Sequence, residues 1–221
     1  MCSGAPPAGA RRQPTAIRRT HPEPLLSPSN PGALACRLAV VGVDANGQDP
    51  PEIIDLAVLP IDPEPAPVRA SSLRSWLVRP ARPITPAVTR DVHSIRNCDV
   101  FACPGWNRVA AEIHDALRGR VLVAHGAAEH HRVLAAHLPG WRPPLVLDTA
   151  RLARNVWPRL AGGYGLARLV THAGLVAPPF EPGRRRHRAG YDAWMTGQLL
   201  ITLARRASLT WEQLVTAARV P

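Results

Sequence analysis

The sequence predicts an α/β domain: a mixed five-stranded sheet flanked by helices on both faces. Three observations carry this. Three short apolar runs follow one another early in the chain with no helical pattern between them. From about residue 86 helical periodicity alternates with two further apolar runs. And 46% of the 221 residues are hydrophobic, enough for the core of one ordinary domain plus a tail.

Residues 1–34 are rich in Pro, Ala, Arg and Ser and lack apolar periodicity, so they are expected to form a disordered tail. CRLAVVGVD (36–44), EIIDLAVLPI (52–61) and SSLRSWLVRP (71–80) read as a three-strand meander, each run bounded by Pro, Gly or Asp. PAVTRDVHS (86–94) reads as a short helix and WNRVAAEIHDALRG (106–119) as an amphipathic one, followed by a buried strand, RVLVAH (120–125). The helix AAEHHRVLAAHL (127–138) precedes a fifth strand, PLVLDT (144–149), which runs directly into ARLARNVWPRL. Helices over 163–174 and 191–206 enclose a loop rich in proline and arginine. SLTWEQLVTAARV (208–220) begins with a capping-box signal at Ser208 or Thr210. The folded domain is thus expected over 35–206, with 207–221 as a C-terminal helix.

No run of 18 apolar residues is present and the N-terminus lacks an apolar signal core, which excludes a membrane partner and predicts a cytoplasmic protein. Cys2, Cys36, Cys98 and Cys103 show no zinc-ligand spacing and read as free thiols. The net charge of +11 is compatible with a nucleic-acid partner, but every basic residue is Arg, as GC-rich coding alone would produce.

The chemistry centres on a few positions. Strand alternation puts Leu38, Val40, Gly42 and Asp44 on one face. Two acids at the spacing of 42 and 44 could hold two divalent cations, and only Asp44 is an acid. On the helix from 127, His130 shares the apolar face with Val133, Leu134 and His137, while Glu129 lies toward the polar side with Arg132. Asp192 begins a buried stripe with Met195, Leu199 and Leu203, and His187 sits on the loop leading in, where a general base could approach the same site. Asp44, His130 and Asp192 are therefore expected to converge at the carboxyl end of the first strand.

At these positions the chain resembles the DnaQ-like 3′-5′ exonucleases of the DEDDh type. VVGVDANGQDPPEIIDLAV is similar to their first motif, D-x-E-T-T-G followed by an apolar strand. LVAHGAAEHHRVL resembles the second, L-V-A-H-N-x-x-F-D-x-x-F-L, and HRAGYD the third, H-x-x-x-x-D. VHSI (92–95) and LDTARLARNVWP match two further family segments, so the resemblance runs in register from 36 to about 206. It implies a ribonuclease-H-like fold and removal of nucleotides from single-stranded DNA or RNA ends with Mg²⁺ or Mn²⁺, a histidine activating water. Carried over by position, Gly42 replaces the first Asp, Asp44 the Glu and His130 the second-motif Asp, while His187 remains as the catalytic histidine and Asp192 as a metal ligand. Asp44 and Asp192 are then the metal candidates, with Glu129 and His130 as substitutes. Asn46, Gly47, His125, Arg184, Arg186 and Arg188 are the expected substrate contacts, although His125 also suits a packing role at the strand end.

Two carboxylates of the four are missing, and Mg²⁺ demands oxygen ligands in octahedral geometry. Two classes of function follow: a divergent exonuclease with weakened catalysis, or a non-catalytic relative, without a cofactor, that binds nucleic acid or a protein. If the missing acids alone limit catalysis, Gly42→Asp, Asp44→Glu and His130→Asp together should restore digestion.

Overall fold

A computed structural model describes residues 25–26, 36–63, 68–176 and 188–221. Five strands form one mixed sheet: β1 (Leu38–Ala45), β2 (Ile53–Ile61), β3 (Arg74–Leu77), β4 (Val121–Ala124) and β5 (Val146–Asp148), in the order β3-β2-β1-β4-β5. The three meander strands pair antiparallel, and β4 and β5 add in parallel to β1. This is the predicted architecture. The third strand is shorter than its sequence pattern because only Arg74–Leu77 pairs with β2.

Helices cover both faces. α1 (Trp106–Leu117) and α2 (Ala127–His137) lie on one side. On the other are α3 (Thr149–Val156), α4 (Leu166–Ala173), α5 (Ala189–Arg206) and α6 (Trp211–Ala218). The division follows the period-two pattern of β1. Leu38 and Val40 pack with Trp194, Met195 and Leu199 of α5, whereas Ala39 and Val41 pack with Val109 and Ile113 of α1 and Leu134 of α2. Asp148 fixes how α2 and α3 leave the sheet: its carboxylate accepts from the Gly126 and Ala127 amides at 3.1 and 3.2 Å and caps α3 through the Ala150 amide at 2.7 Å. Thr210, of the two capping candidates, is the N-cap of α6, exchanging hydrogen bonds with Gln213.

One departure lies in the expected tail. Leu25–Leu26 pairs antiparallel with Val68–Arg69, so the apolar Leu-Leu step finds backbone partners outside the main sheet. Among the described residues no helix is long and apolar enough to cross a membrane.

Candidate functional site

β1 and β2 bring two acids face to face. Asp44 and Asp55 are direct register partners in the antiparallel ladder, both on the side covered by α5. Like charges so placed repel, and the fold resolves the conflict unequally. Asp55 is 4% exposed and ion-paired to Arg188, whose Nε lies 2.9 Å from Oδ2. The same carboxylate accepts from the Ala189 amide at 3.3 Å, at the positive end of α5. Asp44 is left with a buried Oδ2 that has no hydrogen-bond partner. Burial, then the carboxylates of Asp55 and Asp192, push its pKa up to about 8, against the opposing charge of Arg188.

Two residues before Asp44, the strand carries Gly42, and a glycine is required there. A Cβ at this position would lie 2.3 Å from the Ala189 carbonyl oxygen. The first turn of α5 sits directly on the strand, over the small patch of Ala57, Ala189 and Ala193. The expected rescue by Gly42→Asp is thereby corrected: α5 backbone fills the volume in which a carboxylate would stand.

The convergence of three side chains also needs revision. Asp44 and Asp192 are close enough to raise the Asp44 pKa, but the carboxylates acting on His130 are Asp148 and Glu129. His130 folds back on its own helix start, its Nδ1 donating to the Gly126 carbonyl at 3.1 Å, and burial lowers its pKa. Glu129, expected toward the polar side, lines a groove of ≈ 350 Å³ together with Asp44, Gly47, Val92, His93 and Arg132. Glu129 and Arg132 thus turn the polar flank of α2 toward this groove. Glu129 is held in a two-pronged ion pair with Arg132, at 2.9 and 2.6 Å. A larger cleft of ≈ 450 Å³ between Val78–Ala81 and the start of α1 lies away from Asp44, and Glu52, the acid in its wall, is bonded to Ala81 and Arg82.

The expected substrate contacts divide. Asn46 is fully buried: its Oδ1 accepts from the Gln48 and Glu52 amides at 3.2 and 2.9 Å, and its Nδ2 donates to the Arg82 carbonyl at 3.3 Å. It knots the loop after β1 and has no surface to offer a substrate. Gly47, at φ 72°, does line the groove. His125 has both ring nitrogens engaged, Nε2 donating to the Tyr164 carbonyl at 2.8 Å and Nδ1 bonded to the Thr149 hydroxyl at 2.9 Å. Burial lowers its pKa, consistent with a neutral packing histidine. His93 is likewise tied, to Ala45 and Ile95. Arg188 is the partner of Asp55 and so is already engaged. His187, Arg184 and Arg186 lie outside the described residues. Asp55 was missed from the sequence because it sits in an apolar strand; its pairing register with Asp44 was the available signal.

A pair of divalent ions does not fit this donor set. Among the described residues no group of three or more His, Cys, Asp or Glu is positioned to share a metal ion. Gly42 supplies no ligand, Asp55 is neutralised by Arg188, and Asp44 favours its protonated form. Among the described residues, Asp44 and Asp192 are the two acids of the expected set, too few oxygen ligands for a pair of ions.

Comparison with known proteins gives a consistent result. No family model matches the chain. Exodeoxyribonuclease 10 of Escherichia coli K12 is 34% identical over 141 residues, which cover 63% of this chain and 58% of the relative; the chain thus matches little more than half the length of its curated relatives. Exonuclease X in complex with 5′-overhanging duplex DNA superposes with a TM-score of 0.65 at 28% identity, covering 81% of this chain and 98% of that one. The nuclease domain of 3′hExo, a DEDDh family member bound to rAMP, superposes with a TM-score of 0.56 at 13% identity, covering 76% and 92%. The strand order and these likenesses give the chain the ribonuclease-H-like fold and make it similar to 3′-5′ exonucleases of the DnaQ-like type.

Proposed function

We propose that this chain binds single-stranded nucleic-acid ends in the groove beside Asp44 and hydrolyses them weakly or not at all. The observation that carries this is the contact of Gly42 with Ala189: protein backbone occupies the place of one metal-binding carboxylate. Two-metal hydrolysis needs ions that clamp both the attacking and the leaving oxygen, and the donors among the described residues are too few for two such ions. The groove itself is open beside Gly47 and Val92, with Arg132 in its wall. A terminal nucleotide there would meet the exposed apolar side chain of Val92, and its phosphate would have to compete with Glu129 for Arg132.

The test pairs binding with release. Anisotropy of a labelled oligothymidylate should show salt-sensitive binding, whereas nucleotide release in Mg²⁺ or Mn²⁺ should stay near background. Brisk release that vanishes in Asp192→Ala would overturn the impaired-catalysis half of the reading. Absent or salt-indifferent binding would instead favour a protein partner.

A further inference from the structure

We infer that the face formed by α3, α4 and the loop between them is a phosphate track that carries single-stranded nucleic acid beyond the end-binding groove. The inference rests on the reading above for the groove, but on separate residues.

From Thr149 to Val176 the chain contains Arg151, Arg154, Arg159 and Arg168 and not one carboxylate. All four arginines are exposed. None of the ion pairs among the described residues involves them. Several arginines elsewhere are neutralised, as Arg74 is by Glu112, Arg96 by Asp99 and Arg132 by Glu129. The acid that precedes the stretch, Asp148, is 8% exposed and spent on backbone amides. Glu212 of α6 lies on the Asn155 side of α3, in a shallow pocket with Gln213.

Two of the four cations, Arg154 and Arg168, are held in place. Arg154 lies over the Tyr164 ring, 5.1 Å from its centroid, and Arg206 lies 5.6 Å over Trp157. Tyr164 and Trp157 are themselves joined, the Tyr164 hydroxyl donating to the Trp157 carbonyl at 2.6 Å. Arg168 Nε donates to the Ala161 carbonyl at 3.2 Å, which sets it along the same loop. Exposed guanidinium groups without a carboxylate partner, one of them kept in place over a ring face, suit a polyanion.

The face also reaches the carboxyl end of β4. Tyr164 is bonded through its carbonyl to His125 at the end of β4, and the Arg154 charge contributes to lowering the His125 pKa. A strand whose end occupies the groove would have to run past the end of β4 to lay its continuing phosphates on this face. A phosphate chain, unlike an acidic protein, imposes a length dependence, which makes the inference measurable.

The experiment compares a short oligothymidylate, filling the groove alone, with one several times longer, on the full chain. The wild type should bind the longer strand more tightly and with a steeper salt dependence. In Arg151→Gln/Arg154→Gln/Arg168→Gln that gain should disappear, and the slope of log K against log salt should flatten by about 2 for three lost phosphate contacts. Binding of the short strand should be unchanged. Arg→Lys at the same three positions, which keeps the charge, should retain most of the gain. A long strand no tighter than the short one, or a Gln variant that keeps the gain, overturns the phosphate track while leaving the groove reading intact. Loss of short-strand binding alone overturns the groove reading, and loss of both lengths overturns the two together.

Discussion

Asp44 and Asp55 face one another across the β1–β2 ladder, and Arg188 is ion-paired to Asp55. This asymmetry sets the protonation of the site. Asp44, buried beside a second carboxylate, keeps its proton to about pH 8. Its folded pKa lies above the unfolded value of 3.8, so its favourable contribution is complete below about pH 4 and is lost as pH rises through about 8. Asp44→Asn, which cannot ionise, should therefore raise the melting temperature most at pH 9 and little at pH 5. A difference that does not change with pH would mean that Asp44 titrates normally.

The same proton governs metal binding. An ion that uses Asp44 must displace it, so any Mn²⁺ affinity should rise about tenfold per pH unit below pH 8 and level off above. Calorimetric titration at pH 6, 7, 8 and 9 measures this, and Asp44→Asn should abolish it. Affinity independent of pH would place the ion elsewhere.

Arg188 is expected to matter for stability before it matters for substrate. Its partner is 4% exposed, and leaving a buried carboxylate opposite another costs roughly 3 kcal/mol or more. Arg188→Gln should lower the urea midpoint accordingly, and Arg188→Gln/Asp55→Asn should recover much of the loss. Failure of the second change to compensate would show that Arg188 acts through some other contact.

Much of the fold was legible because it follows from patterns that are local in sequence. The five strands announce themselves by apolar runs between turn residues, and the two faces of β1 by strict alternation. The site was less legible because its decisive contacts join distant residues. Gly42 reads as a missing ligand, yet its meaning comes from Ala189, which approaches only once α5 packs on the sheet. Asn46 has the residue type of a substrate contact, but the turn consumes its amide internally. His130 was expected on the apolar flank of α2, but the helix begins with a left-handed Gly126 whose carbonyl captures the ring.

Asn46 offers a direct check on that loop. Its side chain makes three hydrogen bonds to backbone while fully buried, so Asn46→Ala leaves the Gln48 and Glu52 amides without their shared acceptor. A loss of roughly 2–4 kcal/mol is expected at about 1–3 kcal/mol per buried group left unsatisfied. Chemical denaturation reads the cost, and a near-neutral effect would mean the amides find water.

Gly42→Asp, Asp44→Glu and His130→Asp together would restore the family's acids in sequence, but not in space. The Cβ at 42 would meet Ala189 backbone, not a movable side chain, so α5 must shift before a carboxylate can enter. That helix is anchored to β2 by Arg188 and the Ala189 amide on Asp55, and to the core by Trp194, which is fully buried. Gly42→Ala alone should therefore destabilise by about 2 kcal/mol or more, as overpacking does. The triple variant should unfold more readily and still release little nucleotide in Mg²⁺ or Mn²⁺. His130→Asp with Asp44→Glu, which leaves Gly42 in place, should keep the wild-type midpoint more nearly. The readouts are the urea midpoint of each variant and nucleotide release from a 5′-labelled oligonucleotide. A triple variant that is as stable as the wild type and digests briskly would show that α5 yields easily, and that Gly42 is a lost ligand rather than a filled position.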